Sequence, residues 1–344
     1  MKDKIAWVQG SVSCIALGLI AGLALGYFWG HADLRASLAA VTNSLRPIEE
    51  RGTNYVFVHP LLAYRTPEAS TLGQYLSLKS SLQDLVTNAK QTGVSRAGLY
   101  FRDLTAALWV GVNESDTYYP ASLLKVPLMI AYKKEAEDRT WLLGESVVYD
   151  PAVMPKDPYL ASSTLVPGRA YAVEELVKRM IIDSDNGATF TLLSHINPEY
   201  LDTAYTSLGI SNPESDSASY KISARSYGLF FRILYNATYL SPSSSEAALR
   251  LLSQTTFSDG LVAGIPSGTP IAHKWGEHVL TENGMVTGVE LSDCGIVYYP
   301  GHPYLLCVMT SAKDLSAAKV FIKNVSAVTY SAVAEHYATV KTSP

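Results

Sequence analysis

Ser122 and Lys125 stand three residues apart in "YYPASLLKVPLM" (Tyr118–Met129), an otherwise apolar stretch that reads as the opening of a helix. Residues at that spacing share a helix face, so the hydroxyl and the amine can meet. A serine hydroxyl is a weak nucleophile until a base takes its proton. Lysine serves as that base when burial and a neighbouring cation lower its pKa. A helix N-terminus also favours developing negative charge. The plainer reading is a lysine whose stem packs and whose amine reaches water. A second pair at the same spacing, Ser316 and Lys319, lies in the C-terminal helix, where no chemistry is expected. Spacing alone does not choose between the two readings.

Two further groups carry chemistry. Ser184-Asp185-Asn186 follows an apolar helix that ends at Ile182. All three residue types cap helices well. The functional reading gives Ser184 a proton-shuttle role and Asn186 a hydrogen bond to a substrate amide. Lys274-Trp275-Gly276 lies in a late strand. A lysine on an edge strand commonly blocks edge-to-edge pairing. The glycine would let a substrate lie along the strand edge.

The elements that must position these groups read as α+β. Tyr75, Leu78, Leu82, Leu85 and Ala89 recur at helical spacing, and Gly93 is placed to end that helix. "AGLYFRDL" and "AALWVGV" form a hairpin around Asp103–Thr105. The chain is then mostly helical from about 113 to 265, with Val173, Leu176, Val177, Met180 and Ile181 on one helix face. Other helices fall around "YGLFFRILYNATYL" and "SEAALRLLSQ". Strands return as "PIAHKWGEH", "GVELSDCGIVYYP" and "PYLLCVMTS", the last two joined by a tight turn at Pro300–Pro303. A terminal helix starts near Asp314. This pattern predicts an antiparallel sheet built from both ends of the domain, with flanking helices, beside an all-α subdomain.

Taken in this order and in these contexts, the three groups resemble the active-site serine β-lactamases and penicillin-binding proteins, and specifically their class A-like branch. "YPASLLKVPLM" is similar to that branch's helix opening, and "DSDNGA" and "GIVYYPGHPYLLCVMT" to its loop and closing hairpin. The resemblance covers about residues 74 to 340. It implies that Ser122 is the acylated nucleophile and Lys125 its base or part of the base. Ser184 would relay a proton to the leaving amine. Lys274 would steer an anionic substrate and help keep Lys125 unprotonated. Backbone N–H groups of Ser122 and Glu277 would form the oxyanion hole, with Asn186, Trp275 and Gly276 lining the substrate.

Two departures from the family pattern stand out. The middle of the third motif is normally Thr or Ser, whose hydroxyl helps bind a substrate carboxylate; here it is Trp275, followed after Gly276 by Glu277 rather than a small residue. The loop acid that activates the deacylating water is also missing from its usual Glu-x-x-x-Asn setting. The corresponding segment, "SNPESDSASYKIS", is short, and Glu214 and Asp216 read as part of a polar loop. The expectation is an enzyme that acylates at Ser122 and deacylates slowly.

Composition bounds the rest. The chain has 344 residues, a net charge of −4 and 48% hydrophobic residues. No basic block recommends a nucleic-acid partner. No CxxC pair occurs among Cys14, Cys294 and Cys307, and the seven histidines are scattered, so no metal or cofactor is expected. Cys294 and Cys307 fall nearly opposite each other on the closing hairpin, as a disulfide or as two buried thiols. Residues 5–29 contain no charge and are long enough to span a bilayer. They read as an uncleaved anchor, with a signal peptide as the competing reading, and residues 30–73 as a stalk. The resulting expectation is a single-pass, extracytoplasmic, monomeric serine hydrolase at the cytoplasmic membrane. Its substrate would be a peptidoglycan-type peptide amide or a β-lactam-like compound. The rivals are a non-catalytic cell-wall-binding module and a true class A-type β-lactamase.

Overall fold

Nearly continuous apolar runs at both ends of the domain make one five-stranded sheet. The structure is a computed structural model, described for residues 48–51, 55–58, 61–65, 75–161, 163–213 and 219–341. A small sheet joins β1 (Ile48–Arg51) and β2 (Leu61–Arg65). The central sheet contains β3 (Val94–Asp103), β4 (Trp109–Val112), β9 (Ile271–Glu282), β10 (Met285–Val297) and β11 (Tyr304–Ala312). Their order is β4-β3-β11-β10-β9, antiparallel throughout. The strand carrying Lys274 is therefore an edge strand, as the motif requires.

Strand alternation gives the sheet two buried faces. Lys274, Cys294, Cys307 and Tyr100 lie in one cross-strand row. Their face joins a core with Leu123, Met129, Phe230 and Phe231 of the helical region. The other face carries Leu99, Phe101, Leu306 and Val308. It packs on Leu78 and Leu82 of α1 (Leu76–Asn88) and on Ile322 and Val325 of α8 (Leu315–Lys341). After α1 a 3-10 turn ends at Gly93, whose φ of 90° lies in the left-handed region. Cys294 and Cys307 are direct ladder partners, and the structure joins them in a disulfide.

Between the two strand groups lie α2 (Lys125–Asp138), α3 (Val173–Ile182), α4 (Asn186–His195), α5 (Pro198–Thr206), α6 (Ala224–Tyr235) and α7 (Pro242–Leu252). Helix α2 is buried on nearly every side, from Lys125 to Tyr132, which marks it as the centre of the domain. In α6, a Cβ at Gly228 would come 3.1 Å from the Tyr100 ring, so the glycine sets how closely helix and sheet approach. The block expected to be all-α also contains two short ladders. These are β5 (Thr117–Tyr118) with β8 (Ile222–Ser223), and β6 (Ser146–Val148) with β7 (Ala170–Ala172). Two-residue and three-residue strands carry too little alternation to be read from sequence.

The anchor expected over residues 5–29 lies outside the described residues. Among the described residues no helix is long and apolar enough to cross a membrane. Part of the segment read as a stalk is packed on the domain, within one compact unit of Glu49–Tyr64 and Thr71–Pro344. Val58 is fully buried. Glu246 Oε2 accepts the backbone N–H groups of Phe57 and Val58 at 2.7 and 3.1 Å.

Candidate active site

Ser122 sits in a single 3-10 turn, Ala121–Leu124, that runs directly into α2. The serine was expected in the first turn of an α-helix; the tighter turn leaves it partly exposed. The preceding Ala121 has φ 46°, a strained value for a residue with a Cβ. Three contacts hold the turn from outside. Glu290 Oε2 accepts the Tyr119 N–H at 2.7 Å. Tyr227, from α6, donates its hydroxyl to the Leu123 carbonyl at 2.9 Å. Gly276 of β9 lies so close that an added Cβ would sit 2.5 Å from the Pro120 oxygen and 3.0 Å from the Ser122 nitrogen. The glycine was expected to make room for substrate. Its first effect is to let the edge strand close against the turn that carries Ser122.

Lys125 is buried, with 3% exposure. Its Nζ donates to the Ser184 carbonyl at 2.5 Å, the Ser184 Oγ at 3.0 Å and the Asn186 Oδ1 at 2.8 Å. Burial lowers its pKa to about 7, against an upward pull from Asp185. The i,i+3 spacing predicts that Lys125 faces Ser122. Among the described residues, however, the bonds of Lys125 all run to the Ser184-Asp185-Asn186 segment.

That segment links α3 to α4. Ser184 has φ 56°, a left-handed conformation that turns the chain sharply between the two helices. Asp185 caps α4 by accepting the Ala188 N–H at 2.9 Å. The same carboxylate accepts the Ser163 hydroxyl, the Thr164 N–H and the Thr164 hydroxyl. Burial pushes its pKa up, but these hydrogen bonds outweigh burial and hold it below the usual carboxylate value. Asn186 receives Lys125 on its oxygen and donates Nδ2 to the Ala161 carbonyl at 3.1 Å. In this state its amide braces Lys125 and the neighbouring loop.

Lys274 approaches the same hydroxyl from the sheet. It is fully buried, and its Nζ donates to Ser184 Oγ at 3.0 Å and to the Trp275 carbonyl at 3.2 Å. Burial and the nearby Lys125 push its pKa well down, against Asp293. Two lysine amines thus converge on one serine hydroxyl. Two cations so close cannot both stay charged without cost. Backbone groups two residues apart in a strand point to the same side. The Glu277 N–H therefore lies on the same edge as the Trp275 carbonyl that Lys274 reaches, near the Ser122 turn.

The structure brings Ser122, Lys125, Ser184, Asn186, Lys274, Trp275, Gly276 and Glu277 into one region, with the Lys125–Ser184–Lys274 triad at its centre. Glu214 and Asp216 lie outside the described residues. Of the pair Ser316 and Lys319, the lysine forms an ion pair with Asp259 at 2.8 Å on the surface. Several supporting residues escaped the sequence reading. Asp185 looked like a cap and is also the tie for Ser163 and Thr164. Glu290 and Asp293 are acids inside one apolar strand, the signal in the sequence that could have found them, because buried charges need partners. Asp293 Oδ1 pairs with His273 Nδ1 at 2.8 Å, and its Oδ2 accepts the Leu261 N–H at 2.8 Å. His278 lies against Tyr119, with ring centroids 4.3 Å apart.

A nucleophile turn, a serine between two lysines and an edge strand define the acyl-serine class of enzyme. The model of the Beta-lactamase enzyme family matches residues 77–333, and the chain belongs to that family. It is a serine hydrolase of the acyl-transfer type. Among solved structures it is similar to PBP-A, at 24% identity and TM-score 0.64, covering 76% of this chain and 97% of that one. A mutant of PBP-A, solved as its acyl-enzyme complex with penicillin G, matches at 25% identity and TM-score 0.63, with 75% and 97% covered. A β-lactamase from Xanthomonas campestris pv. campestris matches at 21% and 0.64, with 74% and 98% covered. No curated protein matches the chain.

Proposed function

We propose that this chain is a membrane-anchored, extracytoplasmic serine hydrolase that forms an acyl-enzyme at Ser122 and releases it slowly. The observation that carries this reading is the convergence of Lys125 and Lys274 on Ser184 Oγ beside the Ser122 turn. In the first step Ser122 Oγ attacks the substrate carbonyl carbon and passes its proton to the neutral amine of Lys125. Doing so requires Lys125 to release one of its present bonds, as catalytic contacts commonly rearrange on substrate binding. The carbonyl oxygen gains the negative charge and lies against the N–H groups of Ser122 and Glu277. Collapse breaks the carbon–nitrogen bond. Ser184 gives its proton to the leaving amine and is reprotonated from Lys125, which restores the neutral base.

Slow release is supported by the buried acids around the site. Asp185, Glu290 and Asp293 each accept hydrogen bonds from protein groups, and the segment "SNPESDSASYKIS" lacks the Glu-x-x-x-Asn pattern of a deacylating loop. The substrate class is a cell-wall peptide amide or a β-lactam-like compound. The anchor rests on the charge-free run of residues 5–29. Membrane fractionation with protease added from outside tests it.

The chemistry is tested on the soluble domain. Prolonged incubation with benzylpenicillin or a fluorophosphonate leaves a stable adduct on Ser122, while nitrocefin turnover stays slow. Rapid nitrocefin hydrolysis, abolished by Ser122→Ala, establishes a true β-lactamase instead. Folded protein that forms no adduct with either reagent is a non-catalytic binding module.

A further inference from the structure

The third motif differs from the family pattern at the residue beside Lys274, and the structure shows what the replacement builds. Trp275 stacks on Phe257, with ring centroids 4.6 Å apart and an interplanar angle of 23°. Strand alternation places Trp275 on the opposite face from Lys274, yet the two meet: Lys274 Nζ lies 5.2 Å from the Trp275 ring centroid. Both rings are only partly buried. The stack therefore forms a wall next to the amine that bonds Ser184.

Acidic side chains accompany the lysines at this end of the site. Asp293, fully buried and the ladder partner of Trp275, sits in the field of Lys274 and is bonded to His273. Lys319 lies 5.8 Å from the Phe257 ring centroid and is paired with Asp259. Lys274 is fully buried, with its amine committed to Ser184 Oγ and the Trp275 carbonyl. An arriving carboxylate would meet a ring at position 275 where a hydroxyl could have donated. It would also have to compete with Asp293 for Lys274. An aryl group can pack on such a wall in an offset-stacked or edge-to-face arrangement.

We propose that the Phe257–Trp275 stack selects acyl donors whose leaving-group end is an uncharged aryl group rather than a free carboxylate. This rests on the acyl-Ser122 reading and adds a preference on the leaving-group side of the acyl donor. Phe257 and Trp275 are specificity residues in this account; the bond-making groups are those already described.

A matched ester pair separates the two ideas: phenyl phenylacetylglycinate and its meta-carboxyphenyl analogue, which share one acyl group and differ by one carboxylate. Phenol release is followed for both, each rate divided by that ester's hydroxide-catalysed rate. The wild type prefers the uncharged ester about tenfold or more, the scale of discrimination one pocket contact supplies. Trp275→Thr shifts the ratio at least tenfold toward the carboxylate, and Phe257→Ala weakens the preference without reversing it. Trp275→Phe keeps it, which guards against a folding defect in the threonine variant. A wild type that prefers the carboxylate, or a ratio unmoved by Trp275→Thr in folded protein, overturns the proposal. Release from both esters no faster than with Ser122→Ala overturns the acyl-Ser122 reading instead, and this proposal with it.

Discussion

Lys125 can act as a base only in the fraction that has lost its proton. With burial bringing its pKa to about 7, the acylation rate should rise with pH through an inflection near that value and level off above it. Lys125→Met should lower acylation roughly 100- to 10,000-fold and abolish the inflection. Stopped-flow labelling across pH 5.5–9 checks both, and a flat wild-type profile contradicts them. The residue types were legible: Ser122, Lys125, Ser184 and Lys274 were all identifiable from motif and order. Their bonding was not. The i,i+3 rule points Lys125 at Ser122, while the amine bonds Ser184 and Asn186, some sixty positions along the chain. Partners that distant are set by how α2 and α4 pack, which no local spacing records.

The edge strand and the nucleophile turn act as one element because of Gly276. A Cβ there would meet the Pro120 oxygen at 2.5 Å, and backbone atoms on both sides leave little room to yield. Gly276→Ala should cost about 1–3 kcal/mol of stability. It should also lower acylation roughly 100-fold by displacing the Ser122 turn from the Glu277 N–H. Denaturant unfolding and labelling rate measure the two effects; a fully active, equally stable variant contradicts the packing argument. Most strands and helices of the sheet were readable from apolar periodicity. The β9–β10 hairpin was readable only in part. The alternating pattern suggests strands ending at His278 and restarting at Gly288. The ladder instead runs to Glu282 and resumes at Met285. Asn283 and Gly284, with φ 51° and 78°, make the two-residue turn, and an Asn-Gly pair is the usual signal for it. Met285 and Val286 are exposed at the tip, so burial gives no alternation there.

At the scale of the whole molecule, the sheet holds the two lysine-bearing elements together, and the Cys294–Cys307 bridge ties its central strands in the row that contains Lys274. The cysteines are 13 residues apart. Closing a loop of that size stabilises a fold by about 3 kcal/mol in the chain-entropy view. The Cys294→Ser/Cys307→Ser double variant should lose about that much in urea unfolding, with thiol reagents leaving the variant unchanged. Equal stability would show that the bridge is incidental. The composition and strand order of the domain made the α+β class legible, but not the docking of Phe57 and Val58 through Glu246, which depends on a single buried acid far along the chain. The central claim is that Ser122 is a nucleophile activated by this assembly. Intact-mass and peptide-mass analysis after fluorophosphonate treatment tests it most directly. One adduct per chain is expected, on the peptide containing Ser122, absent from Ser122→Ala and strongly slowed in Lys125→Met. Folded wild type without an adduct, or an adduct that persists in Ser122→Ala, would contradict it.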